Sequence, residues 1–181
     1  MLKNTAEEYG SYTKTLHWLM AALIVAMVII GLYMSDLGKE DPIRRQLYDL
    51  HKSLGVLAML LIAVRLIWLR LSPPPALPAV FTENETRLVS LVKAALYLLM
   101  IIIPVSGYLM SIAGGHSVSF FSLFDLPSIM EKNKGAHEFF ENLHSFMADV
   151  IIGAVLLHVA GAVKHRIQDK NGESDILNRM L

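Results

Sequence analysis

Cysteine is absent from the 181 residues, which excludes disulfides, thiolate-held clusters and covalent attachment of a prosthetic group through a Cys-x-x-Cys-His run. Net charge is absent as well, since 16 basic side chains balance 16 acidic ones, and no nucleic-acid partner is expected. The first ten residues are polar and acidic, with Glu7 and Glu8, and do not form a cleavable signal; the first apolar segment is expected to stay in the membrane. Apolar residues are 54% of the chain and come in blocks. A mean hydropathy of +0.48 is high for a soluble domain and points to an integral membrane protein.

Four blocks are long and apolar enough to span a bilayer: about 16–34, 50–69, 88–112 and 146–163. The expected fold is an all-α membrane protein, a bundle of four transmembrane helices forming one domain over 1–181. The run Ser72-Pro73-Pro74-Pro75-Ala76-Leu77-Pro78 cannot be helical, because successive prolines lack donors and clash with the preceding turn. It links two helical hairpins. The longest loop runs from Ala113 to Leu143, and within it Ala136 to Leu143 reads as an interfacial helix feeding the fourth span. Four spans put both termini on one side, with Lys3, Lys14, Arg70, Arg87, Lys164, Arg166, Lys170 and Arg179. The other side holds Lys39, Arg44, Arg45, Lys52, Lys132 and Lys134, diluted by six carboxylates. The bias predicts cytoplasmic termini.

Two histidines fourteen residues apart, His144 and His158, share the fourth apolar stretch. At about 100° and 1.5 Å per residue they fall within roughly 40° of one helix face and lie roughly 21 Å apart along its axis. His17 opens the first span and His51 the second. In an antiparallel bundle His17 matches the depth of His158, and His51 that of His144. Polar side chains in a bilayer are costly and usually pair or bind something. Two axial imidazoles per iron are an electron-transfer arrangement with no open position for oxygen, so the four histidines suggest two stacked haems. Without cysteine, any haem is non-covalent and of b type. The alternatives are interfacial caps on membrane helices and a histidine-lined metal path, although a soft metal would normally recruit methionine or cysteine at close spacing.

Leu16-His17-Trp18, His51 with Ser53 and Gly55, Val64-Arg65-Leu66, Pro104-Val105-x-Gly107, and His144 and His158 followed by His165 together resemble the bacterial cytochrome b561 family of small four-helix, two-haem, quinone-linked membrane proteins. The similarity covers nearly the whole chain. It implies two haems b per chain, bound by His17, His51, His144 and His158, in a multi-pass protein of the bacterial inner membrane. It further implies electron flow between an outer and an inner haem. Some members are implied to oxidise superoxide at the outer face and reduce ubiquinone, and others to act as membrane electron carriers.

Several other residues have readings toward that chemistry. Arg65, inside the second span, suits a haem propionate through its guanidinium fork, or else it snorkels to the headgroups. Gly31, Gly55, Gly107, Gly153 and Gly161 are candidates for close porphyrin approach or for helix–helix contact. Pro104 should kink the third span, which carries no histidine and is expected to close the bundle. His165, two turns beyond His158, with Trp18 as an aromatic wall, is the candidate quinone site; a basic membrane anchor is the alternative. Arg44, Arg45 and Lys52 flank His51, where they suit either steering of superoxide or headgroup contact. Asp149 reads as a proton relay, a propionate partner or an interfacial residue. His116 and His137 read as surface histidines.

Two rival functions stay open. One is a cytochrome b anchor subunit passing electrons between quinone and a partner redox enzyme. The other is a non-redox, histidine-lined metal transporter.

Overall fold

The computed structural model describes residues 1–169 and 174–181; Lys170, counted above with the terminal basic residues, lies outside them. Among the described residues four long helices form the frame: α1 (Ser11–Asp36), α2 (Arg44–Leu71), α3 (Glu83–Ala113) and α4 (Lys134–Gln168). Each is long and apolar enough to cross a membrane, and they form a four-helix membrane bundle. Large side chains such as Ile29 (61% exposed) and Leu156 (65%) face outward, as lipid-facing positions do when the solvent around the helices is itself apolar.

Every helix runs past its apolar block, and at the start of α3 and α4 a side-chain cap, not hydrophobicity, sets the end. Thr82 and Glu85 form a reciprocal capping box that starts α3 five residues before Leu88. The Asn133 side chain accepts the Ala136 N–H at 2.9 Å and starts α4. The segment 136–143 is therefore not a separate interfacial helix. No glycine or proline interrupts the chain between His137 and Ile152, and the segment forms the opening turns of α4. The proline run ends α2 at Leu71 as expected.

At the end of the bundle that carries both termini, Leu16 and Met20 of α1 and Ile62 of α2 form a small core with Tyr97 and Met100 of α3. The N-terminal segment straps across this end through Asn4, which bonds Ser72 with both its backbone and its side chain at 2.9 and 2.8 Å. The C-terminal segment adds Arg179, which donates to the carbonyls of Glu7 and Ala76 at 2.7 and 2.9 Å. Lys164 bonds Glu85 at 3.0 Å, joining α4 to α3.

The opposite end is closed by the loop between α3 and α4. It carries a two-residue antiparallel hairpin, β1 (Ser119–Phe120) and β2 (Phe124–Asp125). The buried Ser53 hydroxyl of α2 pins this hairpin, 3.0 Å from the Ser119 carbonyl and accepting the Phe121 N–H at 3.0 Å. α4 packs along α3, whereas its backbone keeps its distance from α1 and α2. That leaves a seam in the bundle, and the histidines occupy it.

Candidate functional site

The structure brings the four histidines together as two pairs. His17 and His158 have ring centroids 6.2 Å apart, and His51 and His144 have the same separation. All four are half-buried. Two metal–imidazole bonds of about 2 Å, plus about 1.1 Å from each nitrogen to its ring centre, put centroids about 6.2 Å apart whatever the twist between the rings. Both pairs thus have the separation of two axial ligands on one metal. Each pair supplies only two nitrogens, and among the described residues no group of three or more His, Asp or Glu gathers to cage a bare ion. The donor set suits a macrocycle that brings the other four ligands itself.

The remaining ring atoms agree with that fit. Among the described residues no hydrogen bond reaches Nε2 of any of the four, which leaves those nitrogens available. His144 Nδ1 lies 2.9 Å from the Ile103 carbonyl and 3.4 Å from the Ser106 hydroxyl, the backbone anchoring that fixes the tautomer and orientation of a ligating imidazole. His51 Nδ1 is buried with no partner. Glycines make room behind both rings at the loop end. A Cβ on Gly107 would lie 2.9 Å from His144 Cε1, and one on Gly31 would lie 3.3 Å from His51 Cε1. The other three candidate glycines do not behave this way, since Gly55 meets only Met27 at 3.8 Å and Gly153 and Gly161 face open space.

Arg65 does not snorkel. Its guanidinium lies beside the termini-end pair, 3.4 Å from His17 Nδ1, with Nε donating to the Tyr97 hydroxyl at 3.1 Å and a long contact to Met20 Sδ at 3.9 Å. No carboxylate among the described residues pairs with it. A half-buried guanidinium held by neutral groups beside the pair leaves a natural place for an anionic substituent.

The other candidates are more scattered. His165 is 7% exposed and stacks on Phe81 at 4.1 Å. Trp18 sits edge-on to His17 at 5.3 Å and donates its indole N–H to the Met180 carbonyl at 2.9 Å. No ring contact joins Trp18 to His165; each meets the C-terminal segment instead, His165 through its carbonyl and Ser174. At the loop end Arg44 folds onto Tyr48, Lys52 donates to the Ser117 carbonyl at 3.2 Å, and Arg45 is exposed. His137 Nδ1 contacts the Met110 carbonyl at 2.9 Å and helps tie α4 to α3. Asp149 is exposed on the side of α4 away from the histidines.

Without a histidine α3 offers no haem ligand, and the sequence places it at the site only through Gly107, yet α3 also anchors His144 through Ile103 and Ser106. A backbone carbonyl has no signature in a sequence. Ser106, between Val105 and Gly107, is a polar residue in an apolar helix and was an available signal.

Residues 8–181 match the family described as prokaryotic cytochrome b561. The chain is also 36% identical over 179 residues to cytochrome b561 homolog 2 of Escherichia coli (strain K12), an alignment covering 98% of this chain and 93% of that protein.

Proposed function

The chain belongs to the prokaryotic cytochrome b561 family of membrane b-type, electron-transferring cytochromes, and on that premise we propose that it is a two-haem superoxide:ubiquinone oxidoreductase of the bacterial inner membrane. The observation that carries the two-haem reading is the pair of matched histidine separations, 6.2 Å at each end of the bundle. When bound, haem b supplies one-electron chemistry that no side chain of this protein offers.

The positions of the residues support a role for each. His17 with His158, and His51 with His144, hold the two macrocycles across the seam. The Ile103 carbonyl keeps the His144 imidazole in the tautomer that leaves Nε2 available. Arg65 binds a propionate at the termini end. Arg44, Arg45 and Lys52 provide a basic rim at the loop end, which raises the local concentration of a small anion such as superoxide. Two superoxide anions release two molecules of oxygen, and one quinone takes up the two electrons together with two protons. His165 and Trp18 line the termini end, where the quinone is reduced. Basic residues near the helix ends support cytoplasmic termini and a periplasmic loop end. Residues 1–181 act as one membrane unit.

The test is reconstitution of purified protein in liposomes containing ubiquinone, with superoxide generated outside. The account expects haem reduction and quinol formation above the rate of spontaneous dismutation. Absence of haem reduction under these conditions would remove superoxide as the donor and favour transfer between quinone and a partner redox enzyme.

A further inference from the structure

The loop between α3 and α4 folds back along the bundle, and two helix side chains fix how far. Ser53 lies about 4.5 Å inside the apolar block that starts at Leu50, and it bonds the Ser119 carbonyl and the Phe121 N–H. Tyr108 lies about 6 Å inside the block that ends at Ile112, and its hydroxyl donates to the Pro127 carbonyl. Side chains on a helix lean toward its N-terminus, which for Tyr108 is further into the membrane. Segment 119–127 is therefore tied at both ends below the edge of the apolar layer, level with the loop-end histidine pair. His51 packs on Gly31, which puts Ser53 at the depth of the lipid-facing Ile29.

Residues two apart on a helix point about 200° apart, so Ser53 holds the hairpin on the side of α2 away from His51 and the seam. The outer surface of the hairpin is apolar. Leu123 is 75% exposed, Phe124 55% and Phe121 44%, and the Phe120 ring meets those of Phe121 and Phe124 at 4.9 and 5.4 Å. Asp125, at the open end of the hairpin opposite Ser119, is the one ionisable side chain from 118 to 130. The Leu123 N–H closes the turn onto the Phe120 carbonyl at 2.9 Å, with Phe121 and Ser122 at φ 48° and 59°. Such a turn favours Asn-Gly, and a phenylalanine there is strained. Strain of this kind persists where a function holds it.

We propose that the β1–β2 hairpin is a membrane anchor, with Phe121, Leu123 and Phe124 lodged at the boundary between headgroups and acyl chains in the leaflet at the loop end. Irregular backbone is tolerated at such depth only where the protein itself satisfies its polar groups. The Ser119 and Pro127 carbonyls and the Phe121 N–H are each paired by a helix side chain. A water-soluble partner would have to displace lipid to reach the outer surface of the hairpin, so the occupant is lipid. The anchor closes the wedge between α2 and α3 beside the loop-end pair. It depends neither on the electron donor nor on which side of the membrane the loop occupies.

Because the chain has no cysteine, a single introduced thiol reports one position. Leu123→Cys is compared with Ile29→Cys as the lipid-facing control and Glu40→Cys, exposed between α1 and α2, as the water-facing control. Each is labelled with bimane and reconstituted in phosphatidylcholine vesicles, and the haem spectrum reports folding. Intensities are taken as ratios with and without quencher, so constant quenching by haem cancels. Phosphatidylcholine brominated near the headgroup should quench the label at position 123 about as strongly as the one at position 29. Iodide on both sides of the membrane should quench it several-fold less than the label at position 40. Iodide quenching equal to that at position 40, with no effect of brominated lipid, would place the hairpin in water. Protection from both quenchers would place another protein over it. Either result would overturn the proposal.

Discussion

Gly107→Ala gives the sharpest perturbation of the site. A Cβ there would lie 2.9 Å from His144 Cε1 and 3.0 Å from Nδ1, whereas ordinary contact begins at 3.4 Å. The imidazole must move by at least about 0.5 Å, more than twice the roughly 0.2 Å tolerance of a metal–ligand bond. It is also tethered on the same side by the Ile103 carbonyl, so it cannot retreat without weakening that bond. Overpacking of this kind costs about 1–3 kcal/mol, which corresponds to roughly 5- to 150-fold weaker occupancy of the loop-end site. Gly31→Ala, at 3.3 Å from His51 Cε1, should have a smaller effect, and Gly55→Ala, at 3.8 Å from Met27, almost none. Haem per chain, measured by pyridine haemochrome after detergent dialysis, should fall in the order Gly107→Ala, Gly31→Ala, Gly55→Ala. Full haem retention in Gly107→Ala alongside loss in Gly55→Ala would refute the packing argument.

Arg65→Gln removes a cation beside the termini-end pair, and because a nearby positive charge favours the reduced state, the potential of one haem should drop by on the order of 50 mV; redox titration with an unchanged midpoint for both haems would argue against the contact. Ser53→Ala removes the buried hydroxyl that pins the β1–β2 hairpin, a loss of about 1–3 kcal/mol for the groups left unpaired. Amide exchange at residues 119–125 should accelerate while exchange in α4 stays as it was. Trp18→Phe deletes the indole donor to the Met180 carbonyl, and the C-terminal segment should become more readily cleaved by protease with little change in the haem spectrum.

The architecture was legible in the sequence to the extent that it depends on side chains. Apolar blocks located the four spans, and helical arithmetic put His144 and His158 on one face, because the period of an α-helix is independent of its neighbours. Helix ends were less legible: α4 begins at Lys134, not near Phe146, since an asparagine cap starts a helix before lipid does. Distinguishing Gly31 and Gly107 from Gly55, Gly153 and Gly161 required the neighbouring helices, because sequence does not say what a missing Cβ leaves room for. The anchoring of His144 by Ile103 was invisible for the reason that every residue has a carbonyl. Arg65 could be identified as a charge in need of company, but its placement by Tyr97, Met20 and His17 depends on how three helices meet.

The central claim is that each histidine pair holds its own haem b. It is tested most directly by counting haem per chain in the unmodified protein and in His144→Ala and His158→Ala. The account predicts two haems in the first and one in each variant, with different midpoint potentials for the two survivors. A single haem in the unmodified protein, or two retained in either variant, would contradict it.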